Sequence, residues 1–189
     1  MTDVIRLGYM GIPFSNSEEA SKLFTERFGS KEVELIPLMS SKNVIDDLVA
    51  GKIDYGVLAV ENKFAGPVKE SATATKDVEG LNELESLWIP IHHCVFKKNK
   101  DDKVTCLISH IQALRQSEKN LKALYPDAVY EECEDTAYAA EMLSKGELPE
   151  GYAAVCREDA GTFYNLYLEN RNIEDNKDNM TRFSMFSME

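Results

Sequence analysis

The sequence has few basic residues and no long apolar run. Of its 189 residues, 21 are lysine or arginine and 33 are aspartate or glutamate, so the formal net charge is -12 at pH 7. This charge argues against a nucleic acid or an anionic membrane as partner, because both bind largely through Lys and Arg. No stretch approaches the ~20 apolar residues that span a bilayer, and the start MTDVIRLGYMG does not resemble a signal peptide. We therefore expect a cytoplasmic location.

Metal-binding patterns are also missing. The four cysteines have no CxxC spacing and each lies in or beside an apolar run, which is typical of reduced core cysteines: Cys94, Cys106, Cys133 and Cys156. His92 and His93 are adjacent in what the pattern predicts to be a strand. They would then point to opposite faces and could not chelate one ion together. The sequence therefore gives no support for a zinc site.

The chain does contain an alternation of apolar strand patterns with amphipathic helix patterns. Strands are predicted at 4–10, 53–60 and 84–98, for example, and a helix follows the first of them with Ser17 as its N-cap. This alternation predicts an α/β fold with mixed, mostly parallel sheets. The long strand at 84–98 and the turn at 174–179 are predicted to be crossovers between two lobes. Lobe 1 would contain residues 1–85 and 174–189, and lobe 2 residues 86–173.

Polar residues follow two predicted strands of the first lobe, where α/β sheets bind ligands. In GIPFSNSEEA, Ser15 and Ser17 precede a helix whose first N–H groups could hold a carboxylate or a phosphate, although Ser17 could serve only as the cap. In VENK, Asn62 offers both a donor and an acceptor. Glu61 and Lys63 could orient neighbouring groups or could form a simple loop ion pair.

Two similar patterns lie in the second lobe, and a third closes the chain. SHIQAL begins a helix, with Ser109 as a candidate N-cap and Gln112 either reaching back to it or facing a ligand. His110 is a candidate acid or base. EDTAYAA opens another helix that Asp135 or Thr136 could cap. The ending NMTRFSMFSME places Thr181 and Arg182 at the start of the last strand, either as water-facing residues of an edge strand or as a catalytic hydroxyl beside a cation.

In this order and spacing, the stretches resemble the prephenate dehydratase family. The correspondence is carried by five motifs: GIPFSNSEEA, DYGVLAVENKFAGPV, SHIQAL, DTAYAA and IEDNKDNMTRF. The resemblance covers nearly the whole chain, and the TRF ending is its most specific part. It implies two α/β lobes like those of a type II periplasmic binding protein, with the active site in the cleft between them, and a possible homodimer. Since family enzymes usually carry a C-terminal ACT domain and this sequence ends at Glu189, the resemblance also predicts that regulation through that domain is absent.

The resemblance implies an enzyme that converts prephenate to phenylpyruvate in phenylalanine biosynthesis, a carbon–oxygen lyase without metal or organic cofactor. Thr181 would supply the catalytic hydroxyl. The prephenate site would be lined by Glu61, Asn62, Ser109 and Gln112, with Thr136 nearby and with Ser15, Ser17 and Lys63 as further binding residues. The role of Arg182 stays open between binding a substrate carboxylate and holding the end of the strand.

Several positions depart from the family pattern. The second loop glycine is Phe14 and the aromatic residue after it is Asn16. Two prolines are replaced by Ala59 and Ile111, and two serines by Lys63 and Asp135. These changes affect the expected substrate more than the expected fold. Two further hypotheses therefore stand beside dehydration: an enzyme that decarboxylates prephenate without aromatising it, and a non-catalytic module that binds a small anionic metabolite.

Overall fold

The computed structural model describes residues 4–189 and divides the chain into two compact units. Unit 1 contains the chain up to Pro90 together with Met180–Glu189, and unit 2 is Ile91–Asn179. The division thus lies beyond the boundaries predicted at 85/86 and 173/174. One strand runs unbroken through Leu81–Pro90 and belongs to unit 1. The turn 174–179 belongs to unit 2 because its residues bond to helices there, for example through Asp175 N and the Gln116 carbonyl at 2.8 Å.

Unit 1 is a six-stranded sheet with helices. Its elements are β1 Ile5–Tyr9, α1 Asn16–Thr25, a 3₁₀ turn at Glu26–Phe28, β2 Val33–Pro37, α2 Ser41–Val49, β3 Tyr55–Asn62, β4 Gly66–Pro67, α3 Lys69–Thr75, β5 Leu81–Pro90 and β11 Met180–Met188. The strand order is β2-β1-β3-β11-β5, with β4 paired to β3. β1 is parallel to β2 and β3, and β11 is antiparallel to β3 and β5. The last strand is therefore internal, and the edge-strand interpretation of Thr181 and Arg182 is wrong.

The apolar spacing noted in the sequence explains how unit 1 packs. Val44, Ile45 and Leu48 on α2 form a buried cluster with Leu58 of β3 and Phe186 of β11. Phe183 and Met185 are also buried. β11 is therefore buried on both faces and has a neighbouring strand on each edge.

Unit 2 is a five-stranded sheet with helices. Its elements are β6 Cys94–Lys97, β7 Cys106–Ser109, α4 Ile111–Gln116, α5 Glu118–Leu124, β8 Val129–Glu132, α6 Thr136–Lys145, β9 Tyr152–Cys156, α7 Glu158–Phe163 and β10 Tyr167–Asn170. The strand order is β10-β6-β9-β7-β8. β7 is parallel to β8 and β9, whereas β6 is antiparallel to β9 and β10. Leu107, Val95 and Val155 pack against Leu114 and Leu121 of the helices.

Three local predictions are corrected. The strand predicted at 84–98 is two strands, because residues 91–93 leave the ladder and Ile91 N bonds instead to the Asn179 carbonyl. The helix predicted to begin at SHIQAL is two helices, α4 and α5, which are separated at Ser117. α1 begins at Asn16 with Ser15 as its N-cap, since the Ser15 hydroxyl accepts from Glu18 N at 3.3 Å.

Within residues 4–189, no helix is both long and apolar enough to cross a membrane. Nor do the described His, Cys, Asp and Glu side chains form a group of three or more that could hold a metal ion.

Candidate active site

The end of β3 and the start of β11 bring two predicted site residues into direct contact. Asn62 and Thr181 are register partners on these antiparallel strands, and Asn62 Nδ2 donates to Thr181 Oγ1 at 3.0 Å. Both side chains are buried, with exposures of 5% and 8%. None of the residues described in the structure accepts a hydrogen bond from the Thr181 hydroxyl. The arrangement therefore occupies an acceptor site of the hydroxyl and leaves its proton available for another group.

The Asn62 amide is itself held on both sides. Its Oδ1 accepts from Phe64 N and Ala65 N at 3.0 Å each, and its Nδ2 also donates to the Met180 carbonyl at 3.0 Å. These bonds fix which way the amide faces, because only an oxygen can accept from two backbone N–H groups. The sequence predicted a loop after Val60, but Glu61 and Asn62 belong to β3.

Arg182 lies beside Thr181 in the strand, and two carboxylates hold its guanidinium. Its Nε is 3.3 Å from Glu61 Oε2, and its Nη1 is 3.1 Å from Glu83 Oε1. Glu83 Oε1 also accepts from Ser184 Oγ at 2.7 Å. These contacts tie β3, β11 and β5 together. They also replace the Glu61–Lys63 ion pair that the sequence left open.

The loop between β1 and α1 carries the two predicted serines. Ser15 and Ser17 are buried near the start of α1, and Ser15 caps it. Phe14 has a φ of 69°, in the left-handed region where a residue other than glycine is strained by roughly 1–2 kcal/mol. Its N–H donates to Glu18 Oε2 at 2.9 Å. A carboxylate of the protein thus binds one of the backbone donors that a ligand anion could have used.

Lys63 is exposed directly after the Asn62–Thr181 pair. Its N–H donates to the Met180 carbonyl at 2.9 Å, and its Nζ is 5.8 Å from the centre of the Phe64 ring. Among the residues that the structure describes, no carboxylate lies within ion-pair distance of this ammonium group. Lys63 therefore places an uncompensated positive charge at a position where the family pattern has serine.

In unit 2, the strand ends carry the other predicted residues. Ser109 is the last residue of β7, is fully buried, and donates to the Val155 carbonyl at 2.5 Å. The sequence suggested Ser109 as the N-cap of α4, but Ser109 does not cap this helix. His110 is the cap, and its Nδ1 accepts from Gln112 N at 3.2 Å, which requires Nδ1 to be unprotonated. The Gln112 side chain is exposed in the first turn.

Asp135 caps α6, and Thr136 is the first residue of that helix. Asp135 Oδ1 accepts from Ala137 N at 2.7 Å. Burial raises the pKa of the Asp135 carboxyl, although the backbone N–H groups of α6 and nearby His110 act in the opposite direction. Cys133 N donates to the Ser109 carbonyl at 3.0 Å, so the segments that lead into α4 and α6 lie close together. Burial also raises the pKa of the neighbouring Cys133 thiol to about 11, so this thiol is a poor nucleophile at neutral pH.

Among the predicted residues, unit 1 thus pairs Asn62 with Thr181 and Glu61 with Arg182, and it places Ser15 and Ser17 at one helix start. Unit 2 collects Ser109, Gln112 and Thr136 near the ends of β7 and β8. Glu83 was missed because the predicted strand began after it. Asn179 lies in the quoted ending IEDNKDNMTRF but received no role. A predicted pairing of β5 with β11 could have identified Glu83 as a partner of Arg182.

Together, two mixed α/β units with polar side chains at their strand ends confirm the predicted α/β fold. The prephenate dehydratase family profile matches residues 7–189, so this chain belongs to the prephenate dehydratase family. It is 32% identical to arogenate dehydratase 5 of Arabidopsis thaliana, over 97% of this chain and 42% of that protein. It is 30% identical to the prephenate dehydratase of Lactococcus lactis, over 84% of this chain and 57% of that protein. The chain thus spans about half the length of these relatives.

Solved structures show the same fold at lower identity. The prephenate dehydratase of Arthrobacter aurescens, in complex with L-Phe, matches 98% of this chain and 61% of its own at a TM-score of 0.85 and 21% identity. The VFT2 domain of Bordetella pertussis BvgS matches 98% of this chain and 80% of its own at a TM-score of 0.50 and 15% identity. At these identities the likeness supports the fold alone.

Proposed function

We propose that this protein converts prephenate to phenylpyruvate, with release of carbon dioxide and water. The observation that carries the proposal is the Asn62–Thr181 pair, which presents a buried hydroxyl with an uncommitted proton at the end of β3. Family membership supports the reaction class.

The reaction requires few functional groups from the protein. The C–C bond to the ring carboxylate breaks, its electron pair enters the ring as hydroxide leaves, and a proton completes the water. Aromatisation supplies much of the driving force. Thr181 is a weak acid, so it hydrogen-bonds the departing hydroxyl rather than fully protonating it, and such assistance is typically worth about 10²–10⁴-fold. Asn62 orients Thr181 by donating to its oxygen.

The other predicted residues take supporting roles in the proposal. Ser15 and Ser17, with the first N–H groups of α1, would bind a substrate carboxylate, and Lys63 would add attraction for it. The roles predicted for Ser109, Gln112 and Thr136 stay predictions. Arg182 would hold the strand end rather than the substrate, because Glu61 and Glu83 already neutralise it.

A second candidate substrate is arogenate, which carries an amino group where prephenate has a ketone. The observation in its favour is that arogenate dehydratases of Arabidopsis thaliana are among the relatives at 32% identity. The same loss of carbon dioxide and hydroxide would then give phenylalanine directly.

Product identification tests the proposal. The purified protein is incubated with prephenate or with arogenate, and the products are followed by absorbance and mass spectrometry. Phenylpyruvate from prephenate is the expected result. Phenylalanine from arogenate, with little turnover of prephenate, would move the assignment to the second candidate. A decarboxylated product without an aromatic ring, or binding of either compound without turnover, would contradict dehydration.

A further inference from the structure

Gln116, the last residue of α4, bonds to both segments by which the chain passes between the two units. Its Oε1 accepts from Asn179 Nδ2 at 3.0 Å and lies 3.0 Å from His93 Nε2. Its backbone carbonyl accepts from Asp175 N at 2.8 Å. One residue of unit 2 therefore holds residues 91–93, which lead from β5 to β6, and residues 174–179, which lead to β11.

The partners of Gln116 are buried hydrogen-bond donors. His93 is 2% exposed, and because an amide oxygen can only accept, His93 Nε2 must carry the proton. His93 Nδ1 has no hydrogen-bond partner among the described residues. Asn179 is also 2% exposed, and its carbonyl accepts from Ile91 N at 2.8 Å. Loss of the Gln116 oxygen would leave at least the His93 donor buried without its acceptor, which is costly.

The segment held by Gln116 leads directly to the catalytic hydroxyl. The chain passes from Asn179 to Met180, whose carbonyl accepts from Asn62 Nδ2 at 3.0 Å and from Lys63 N at 2.9 Å. Thr181 follows, bonded to the same Asn62 nitrogen. A displacement of Asn179 would therefore be transmitted along two peptide units to the Thr181 hydroxyl. A 1 Å misplacement of a catalytic group can cost about 100-fold in rate.

We infer that Gln116 is a positioning residue for Thr181, an inference that rests on the proposed function. It acts through its acceptor oxygen, which fixes the turn 174–179 and the start of β11. A purely structural residue would instead lower stability without selectively lowering kcat.

Three variants separate these roles. Gln116→Met keeps the length of the side chain but removes the acceptor, whereas Gln116→Glu keeps an acceptor. Tyr125→Phe is the matched control, because it removes another side-chain hydrogen bond of unit 2, to Asn170 Oδ1. We expect Gln116→Met to lower kcat about 10-fold or more with little change in KM, Gln116→Glu to restore most of it, and Tyr125→Phe to leave kcat nearly unchanged.

A second background tests whether the effect runs through Thr181. In a Thr181→Ala protein, Gln116→Met should cause almost no further loss of kcat. The inference is overturned if Gln116→Met lowers the melting temperature but not kcat, or lowers kcat equally in both backgrounds.

Hydrogen exchange keeps the test independent of the reaction. The amide of Lys63 donates to the Met180 carbonyl and so reports on the start of β11. Gln116→Met should speed its exchange and Tyr125→Phe should not, while unchanged exchange would overturn the inference. A folded wild-type protein that turns over neither substrate would refute the proposed function alone, and the exchange result would still decide the role of Gln116.

Discussion

The strand ends of the two units carry similar polar residues but use them differently. In unit 1, side chains bond to other side chains across neighbouring strands, as Asn62 does with Thr181 and Glu61 with Arg182. In unit 2, they bond to backbone groups. Ser109 donates to the Val155 carbonyl, and Asp135 accepts from Ala137 N.

This difference indicates where the chemistry lies. A side chain that satisfies a buried backbone group is needed for the fold, so its hydrogen-bonding capacity is already committed. A side chain oriented by another side chain can keep a proton free, as the Thr181 hydroxyl does. We therefore propose that the chemical step takes place in unit 1, and we expect substitutions of the backbone-bonded side chains at the strand ends of unit 2 to affect stability more than turnover.

The largest effect is expected at Thr181. Thr181→Ala removes the hydroxyl and should lower kcat by about 10²–10⁴-fold, with little change in melting temperature. Thr181→Ser keeps a hydroxyl at the same register position and should retain most of the activity. Steady-state kinetics with prephenate check both variants. Equal activity of the alanine and serine variants would remove Thr181 from the mechanism.

A smaller effect is expected at Lys63. Lys63→Ser removes an exposed, uncompensated charge next to Asn62 and should raise KM for a dianionic substrate about fivefold, as expected for roughly 1 kcal/mol of screened attraction. Folding stability should not change. Lys31→Ser, which removes the same charge from another exposed site of unit 1, is the control. Unchanged kinetics with normal melting would contradict a role for Lys63.

Substitution of Ser109 tests whether the backbone-bonded side chains of unit 2 serve the fold. Ser109→Ala leaves the Val155 carbonyl without its buried donor and should cost about 1 kcal/mol of unfolding free energy, measured by urea denaturation. Turnover should change by less than about threefold because the hydroxyl proton is bonded to backbone. Thr25→Ala, which removes an exposed bond to the Lys22 carbonyl, should cost less. A large loss of kcat with normal stability would place Ser109 in the chemical step.

The smallest effect is expected at Asp135 and depends on pH. Burial raises the pKa of this carboxyl, so the folded protein binds its proton more tightly than the unfolded chain does. The resulting stabilisation is present at low pH and is lost as pH rises through the native pKa. Wild type should therefore lose stability relative to Asp135→Asn as the pH rises above the ordinary pKa of an aspartate, about 4.

Asp54→Asn is the control of opposite sign. The hydrogen bond from Arg6 lowers the pKa of Asp54, so its stabilisation is present at neutral pH and is lost on acidification. The same denaturation series measures both variants. A stability difference that moves in the same direction with pH for both would contradict the account of Asp135.

The sequence predicted the α/β class and the residues at the strand ends because both follow from local patterns. Apolar periodicity identified β1, β3 and most helices. Polar residues next to a strand end marked Asn62, and polar residues at a strand start marked Thr181. Local sequence patterns failed where hydrogen bonds between distant residues determine the structure. The strand breaks at 91–93 because Ile91 N bonds to the distant Asn179 carbonyl. No local pattern encodes this bond or the break of the helix at Ser117.

The ion-pair partners of charged residues could not be predicted from the sequence either. Adjacent residues suggested a Glu61–Lys63 pair, but the register of β3, β11 and β5 gives Glu61 and Glu83 to Arg182. Helix caps were misplaced by one or two residues, at Ser15 and His110, because several neighbouring residues could each serve as the cap.

The most direct test of the central claim is a double-mutant cycle on Asn62 and Thr181. Prephenate turnover is measured for wild type, Asn62→Ala, Thr181→Ala and the double variant, each verified as folded. If Asn62 acts by orienting the Thr181 hydroxyl, the double variant will be no slower than Thr181→Ala alone. Losses that add fully would show that the two residues act independently and would contradict the account.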